Sequence, residues 1–136
     1  MQNFTLTLFT NQPELAARAD AAGVDRVGLD LETLGKSERQ GHLNTWISDH
    51  QEADLPRVRT FLHKAKLFAR CNPPNADLNS EVDRLIAQGV NALMLPYFET
   101  VAQAQSFVDA VGGRARTVLL IETARAAEQT KHLCNI

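Results

Sequence analysis

The feature that most constrains the fold of this chain is a regular alternation of short apolar segments with amphipathic segments, repeated five times. The apolar segments have the length and composition of β-strands, and the amphipathic segments have the period of helices. The predicted strands are residues 4–10, 24–32, 66–71, 90–95 and 117–121. The predicted helices are residues 13–22, 54–65, 78–88, 99–111 and the tail from 124. Strict alternation predicts an α/β fold with a parallel sheet and right-handed crossovers.

The last predicted strand has the strongest pattern. Four consecutive apolar residues, 118–121, favour a strand that is buried on both faces. The strand ends in Glu122, and α/β folds place metal and substrate ligands at the carboxyl ends of buried strands. A glutamate at this position can equally cap the following helix or form an ion pair with it. This segment alone does not decide between a ligand role and such a structural role.

Two architectures fit the alternation. An open doubly wound sheet of five strands is self-sufficient within 136 residues. A closed (β/α)₈ barrel needs about 250 residues, so this chain would supply about five of its eight units as one incomplete barrel domain over residues 1–136. Periodicity does not separate these two architectures.

Charge and composition exclude several classes of function. The formal net charge is −2, which gives no electrostatic argument for nucleic acid or for an anionic membrane as a partner. No segment approaches the ~20 apolar residues of a membrane-spanning helix, and the N-terminus does not have the pattern of an export signal. Cys71 and Cys134 lack CxxC spacing, which is typical of a reducing compartment, so we expect a cytoplasmic protein.

Four of the five predicted strands end in or next to chemically capable side chains. They are Asp30 and Glu32, Arg70 and Asn72, Pro96 with Tyr97, and Glu122. Because the carboxyl ends of parallel strands lie at one edge of a sheet, these groups can converge although they are far apart in sequence. Carboxylates suit Mg²⁺ or Mn²⁺, and an arginine can bind a substrate carboxylate through two hydrogen bonds. The structural alternative is a surface ion pair of Arg70 with Glu32 or Glu122.

Residues 33–52 form a long polar segment of weak periodicity, which predicts a loop. Loops of this length in compact domains are usually functional or mobile. The segment contains His50 close to two hydroxyls and to Trp46, so we consider His50 a candidate general acid or base. The alternative is an ordinary solvated loop histidine.

Four blocks of the sequence together resemble the HpcH/HpaI aldolase and citrate lyase β-subunit family, a branch of the phosphoenolpyruvate/pyruvate-binding barrels. The blocks are residues 27–32, 68–72, 89–104 and 120–124. The resemblance runs from about residue 24 to the C-terminus, and it is most specific in residues 89–104 and at Glu122. It implies a TIM barrel fold and chemistry on a 2-oxo acid.

The resemblance also implies roles for individual residues. Arg70 matches the arginine that binds the carboxylate and the enolate oxygen of pyruvate or oxaloacetate. Glu122 matches the first carboxylate ligand of a divalent metal, Mg²⁺ or Mn²⁺, and Asp30 and Glu32 match the acidic pair near that metal. Asn72 and Pro96 fall at substrate-binding positions. The metal and Arg70 would together neutralise the enolate oxygen.

Three features depart from the family pattern. Thr33 follows the second-strand acid, where family members have histidine or aspartate. The fourth strand is followed by Pro96-Tyr97 instead of Pro-Lys or Pro-Met. The family's second metal-binding carboxylate comes from a sixth strand, which these residues do not include. We expect a fragment, a barrel wall supplied by another copy, or a vestigial site.

Two hypotheses of different classes follow. The leading one is a metal-dependent carbon–carbon lyase or aldolase that acts on a small 2-oxo acid or acyl thioester and is present here in incomplete form. The alternative is a non-catalytic α/β domain with a vestigial site. A phosphate-binding flavodoxin-like sheet is disfavoured, because no glycine-rich loop follows the first strand. An open sheet leaves two edges uncovered, so we expect a homo-oligomer or pairing with a missing C-terminal half.

Overall fold

A computed structural model describes residues 4–35 and 48–136. The strands are β1 Thr7–Phe9, β2 Arg26–Asp30, β3 Lys66–Arg70, β4 Ala92–Leu95 and β5 Arg116–Leu119. The helices are α1 Pro13–Ala22, α2 Asp54–Arg59, α3 Leu78–Ala87, α4 Val101–Val111, α5 Ala124–Glu128 and α6 Thr130–Leu133. No helix among these described residues is long and apolar enough to cross a membrane.

The five strands form one parallel sheet in the order β1-β2-β3-β4-β5. Every strand therefore pairs with its neighbours in sequence, and the strand order does not reverse as it does in a doubly wound sheet. The prediction of consecutive (β/α) units is confirmed, and within the described residues the barrel is not closed. The carboxyl ends of all five strands lie at the same edge.

The two faces of the sheet have different environments. Side chains from alternate positions, such as Val27, Leu29 and Leu67, share one hydrophobic core with residues of all six described helices. The other face carries Phe9 and Phe68, whose rings pack edge to face with centroids 5.6 Å apart. Gly28 lies between them, and a Cβ there would come within 2.7 Å of the Phe68 ring. This second face corresponds to the inside of a barrel.

The prediction that residues 118–121 are buried on both faces is wrong. The β5 strand ends at Leu119, its residues are half-buried or exposed, and the Ile121 side chain is 42% exposed. The physical reason is that β5 is an edge strand of the described sheet, so it has a neighbour on one side only.

Two predicted helices are shorter in the structure. The helix predicted over residues 54–65 ends at Arg59, and the predicted tail helix divides into α5 and α6 at Gln129. The buried Asp20 carboxylate accepts hydrogen bonds from the backbone N–H groups of residues 63, 64 and 65, at 3.1, 2.8 and 2.6 Å. These bonds hold the connection to β3 in a non-helical conformation and lower the pKa of Asp20.

Candidate active site

Arg70 and Asp30 lie side by side at the carboxyl edge of the sheet. The register of β2 and β3 pairs the two residues directly. Arg70 donates from Nε to Oδ1 of Asp30 at 2.8 Å and from Nη2 to Oδ2 at 2.6 Å. The Glu32 carboxylate is 3.5 Å from Nε. The hydrogen bonds that Arg70 donates to Asp30 are the main reason that the pKa of Arg70 is raised, and the nearby charges of Glu32 and Glu122 act in the same direction.

This arrangement uses only one side of the guanidinium. The Nε and Nη2 atoms bind Asp30, and the group lies 5.8 Å from the centre of the Phe9 ring. No hydrogen bond within residues 4–35 and 48–136 involves Nη1. Because a guanidinium has five N–H groups in a planar fork, Nη1 and the second hydrogen of Nη2 can still bind another carboxylate.

Ser48 and His50 contact Asp30 from the end of the long loop. The Ser48 hydroxyl is 3.1 Å from Oδ2 of Asp30, and the backbone N–H of Asp30 donates to Nδ1 of His50 at 2.9 Å. An Nδ1 that accepts a hydrogen bond is unprotonated, so a neutral His50 in this arrangement has its proton on Nε2. His50 is therefore held as a hydrogen-bond donor at Nε2. The rest of the predicted loop, residues 36–47, lies outside the described residues, so its prediction as an active-site loop stays open.

A small cavity of about 250 Å³ brings these groups together. It is lined by Phe9, Asp30, Ser48, His50 and Arg70. The volume is below the 300–1,000 Å³ that is usual for drug-sized ligands, so the cavity suits a ligand of a few atoms. A larger cavity of about 710 Å³ lies between α1 and α2, and it includes none of these groups.

Glu122 lies on the loop after β5 and is exposed. Its Oε1 accepts a hydrogen bond from the backbone N–H of Tyr97 at 2.9 Å. Tyr97 has a φ of 49°, which is the left-handed conformation that non-glycine residues rarely adopt. Strain of this kind is often found at functional sites. Pro96, the predicted substrate-binding residue before Tyr97, is buried, and its contact with substrate stays a prediction.

Asn72 braces the loop after β2. Its Oδ1 accepts hydrogen bonds from the backbone N–H groups of Thr33 and Leu34, at 2.8 and 2.9 Å. Its Nδ2 donates to Oε1 of Glu81 on α3 at 3.2 Å. The structure thus gives both polar atoms of the Asn72 side chain a bracing role, and its predicted substrate contact remains untested.

Of the three candidate metal-binding carboxylates, Glu122 is the one that does not form an ion pair with Arg70. Asp30 and Glu32 are engaged by Arg70, and the described residues contain no group of three or more His, Cys, Asp or Glu side chains arranged to hold a metal. Mg²⁺, however, is usually bound by one or two carboxylates together with waters and substrate oxygens. Glu122 can serve as such a single carboxylate. The carboxylates of Asp30, Glu32 and Glu122 outnumber the one guanidinium of Arg70, and this excess of negative charge favours a cation.

The candidate site residues named from the sequence did not include three residues that matter in the structure. Phe9 lies against Arg70, and its position on the barrel face follows from the two-residue period of β1. Glu81 is buried, and burial raises the pKa of its carboxyl group. Its position on the same apolar face of α3 as Leu78, Val82 and Leu85 is the sequence feature that indicates burial. Cys71 is buried, which raises the pKa of its thiol and makes it unreactive.

The fold is shared with enzymes of known structure. The crystal structure of citrate synthase SbnG matches with a TM-score of 0.68 and 12% identity, over 97% of this chain and 57% of that chain. The HpcH/HpaI aldolase from Desulfitobacterium hafniense DCB-2 matches with a TM-score of 0.66 and 12% identity, over 95% and 57%. Phosphonopyruvate hydrolase matches with a TM-score of 0.61 and 13% identity, over 96% and 50%.

At these identities the likeness shows the fold, which is that of TIM-barrel-like enzymes. The chain spans between 50% and 57% of the length of these three structures. No family model matches the chain, and no curated protein matches its sequence.

Proposed function

We propose that this chain carries part of the active site of a carbon–carbon lyase or aldolase of the HpcH/HpaI type, acting on a small 2-oxo acid or acyl thioester through an enolate. The observation that carries the proposal is the position of Arg70. Asp30 holds its guanidinium at the carboxyl edge of a barrel-type sheet, in a cavity sized for a ligand of a few atoms, with one side of the guanidinium still available. The similarity to an aldolase and to a citrate synthase supports this reaction class.

Arg70 anchors the substrate in this proposal. The Asp30 carboxylate fixes the rotamer of the guanidinium, so little conformational entropy is lost when the remaining N–H groups bind a substrate carboxylate. The same N–H groups stabilise negative charge that develops on the neighbouring enolate oxygen, since a pre-oriented donor needs no reorganisation during the reaction.

A divalent cation, Mg²⁺ or Mn²⁺, is the proposed cofactor, with Glu122 as its carboxylate ligand. When bound, it supplies a positive charge beside the 2-oxo oxygen. Asp30 and Glu32 are proposed to bind waters of the metal, which lets them keep their contacts with Arg70. A single direct protein carboxylate implies weak metal binding in the absence of substrate.

His50 acts in this proposal as a neutral hydrogen-bond donor. Its Nδ1 accepts from the Asp30 backbone, which leaves Nε2–H as the donor, and His50 is one of the residues that line the cavity beside Arg70. A neutral imidazole can polarise a substrate oxygen by donating a hydrogen bond. The general-base role that the sequence suggested would need the other tautomer and would break the bond to Asp30. We place the activity in the cytoplasm, since both cysteines are free thiols.

A non-catalytic domain is the alternative, and one observation favours it. Arg70 is already neutralised by Asp30 and Glu32, so a structural ion pair that joins β2 to β3 is enough to account for the cluster. In that case Arg70 contributes to stability and binds no substrate.

Hydrogen exchange at the methyl group of pyruvate distinguishes the two functions. Enolate formation replaces these hydrogens with deuterium in D₂O, which ¹H NMR follows directly. We expect exchange above the buffer rate in the presence of Mg²⁺, a loss of at least about tenfold in Arg70→Lys, and no change in Arg57→Lys, whose ion pair lies on α2. Exchange at the buffer rate in the native chain would favour the non-catalytic domain.

A further inference from the structure

A second cavity lies at the opposite, amino-terminal edge of the sheet. Its volume is about 560 Å³, and four of its lining side chains are cations: Arg26, Lys64, Lys66 and Arg116. The one acidic residue in the lining is Asp25, whose carboxylate accepts a hydrogen bond from the backbone N–H of Leu6 at 2.8 Å. A concentration of positive charge here stands out in a chain with a net charge of −2.

These four cations lack acidic partners. Within residues 4–35 and 48–136, no ion pair involves any of them, and the described contact of the Arg26 guanidinium is with the Phe68 ring, at 5.7 Å. Five other arginines do form ion pairs with carboxylates: Arg57, Arg70, Arg84, Arg114 and Arg125. The cavity lining therefore carries four positive charges against the single carboxylate of Asp25, which leaves an excess of positive charge.

The strand register places the cations across the sheet. Arg26 and Lys66 are direct partners in β2 and β3, so they project on the same face. Arg116 pairs with Ala92, which pairs with Phe68, the residue two positions after Lys66. Since neighbouring strands lie about 4.8 Å apart and two residues along a strand span about 6.6 Å, the backbones of Lys66 and Arg116 are separated by about 12 Å. One phosphate group is too small to reach all of them at once.

We propose that this cavity binds a small anion with two linked phosphate groups. Its volume lies within the range of small-molecule sites. Lysine and arginine at several positions can contact both groups through charge-assisted hydrogen bonds. The site goes beyond the proposed function and is independent of it, because it uses the amino-terminal edge of the sheet and none of the residues around Arg70.

Calorimetric titration with pyrophosphate, in buffer without divalent metal, tests this site. We expect saturable binding that the double variant Lys66→Gln/Arg116→Gln weakens by at least about tenfold, because both cations contact phosphate. The control is Arg18→Gln/Lys131→Gln, which removes two exposed cations from the helices α1 and α6 and should change the affinity less than about twofold. Absence of binding, or equal weakening in both double variants, would overturn the proposal.

Three further measurements define the ligand and the site. Inorganic phosphate should bind more weakly than pyrophosphate, because it reaches fewer cations. A single-stranded oligonucleotide that binds when pyrophosphate does not would show a nucleic-acid surface instead and would contradict the proposal. Arg70→Lys should leave pyrophosphate binding unchanged, and a loss there would place the anion at the other edge of the sheet. The thermal unfolding transition of each variant is measured as a check that the substitutions preserve the fold.

Discussion

Arg70 and Asp30 occupy paired positions on neighbouring strands, and two hydrogen bonds of 2.8 and 2.6 Å join their side chains. The Asp30 side chain is 9% exposed and that of Arg70 is 22% exposed, so the pair is largely withdrawn from solvent. Such a pair fixes the guanidinium in one orientation, and it makes each residue dependent on the other. The consequences for stability and for binding can be measured separately.

Replacing Asp30 by asparagine should destabilise the fold. The substitution removes the charge of the carboxylate and leaves Arg70 with a weaker acceptor in a poorly hydrated position. We expect the free energy of unfolding to fall by about 2 kcal/mol, since one partner of a mostly buried pair is lost. Urea unfolding at pH 7 measures the change.

The matched control is Asp83→Asn. Asp83 also pairs with an arginine, Arg114, at 2.7 Å, but both side chains are about half exposed or more. An exposed pair contributes little, so we expect a change below about 0.5 kcal/mol. Equal losses in the two variants would show that burial does not distinguish these pairs.

The buried Glu81 should make stability depend on pH. Burial raises the pKa of its carboxyl group above the ordinary value of 4.5. The folded chain therefore holds the proton to higher pH than the unfolded chain does, and the free energy of unfolding falls as pH rises through that interval. Glu81→Gln removes this ionisation while its amide oxygen can still accept the bonds from Asn72, so the variant should gain stability relative to the native chain between pH 4 and pH 7.

Urea unfolding at the two pH values checks this sign. The exposed Glu128→Gln serves as control, and its stability relative to the native chain should change little over the same interval. If Glu81→Gln instead loses stability relative to the native chain as pH rises, the ionised carboxylate stabilises the fold, contrary to the effect of its burial.

Much of the fold could be predicted from the sequence, because helix and strand periods are local properties. The alternation of patterns and the family resemblance together predicted the consecutive strand order. Burial of β5 could not be predicted in this way, since an apolar strand has the same pattern whether it has one neighbour or two. The early end of α2 depends on the carboxylate of Asp20, which lies more than 40 residues away in sequence from residues 63–65. No sequence pattern near Arg59 indicates this contact.

The candidate site could be predicted in part. Parallel topology brings Asp30, Glu32 and Arg70 to one edge, and that much follows from strand order. The sequence considered Glu32 or Glu122 as the ion-pair partner of Arg70. Glu32 does form an ion pair with Arg70 at 3.5 Å, but the two hydrogen bonds are with Asp30, which was not considered as a partner. The choice depends on the register between β2 and β3, which strand patterns do not determine. The contact of His50 with the Asp30 backbone likewise depends on the path of a loop.

Within the described residues, the edge strand β5 and the exposed part of the barrel face should cause self-association. Val118 on the edge strand is half-buried, and Phe9 and Tyr97 are 40% and 41% exposed. Edge strands and apolar faces of this kind favour association with another chain. We expect species larger than a monomer in sedimentation velocity at micromolar concentration, and a shift toward monomer in Val118→Lys.

Ser106→Lys is the matched control, because it adds the same charge at an exposed position of α4, on the helix side of the sheet. It should leave the association unchanged. A native chain that sediments as a monomer at micromolar concentration and unfolds cooperatively would contradict the expectation that the face needs a partner.

The most direct test of the central claim is calorimetric titration with oxalate, a planar dianion that resembles the enolate of pyruvate, with and without Mg²⁺. We predict oxalate binding that requires Mg²⁺. Arg70→Lys should weaken oxalate binding by at least about tenfold and leave metal affinity nearly unchanged, and Glu122→Gln should abolish the binding that Mg²⁺ supports. Failure of oxalate to bind at millimolar concentration with Mg²⁺ present, or binding that neither substitution changes, would contradict the assignment of Arg70 and Glu122 to an enolate-binding site.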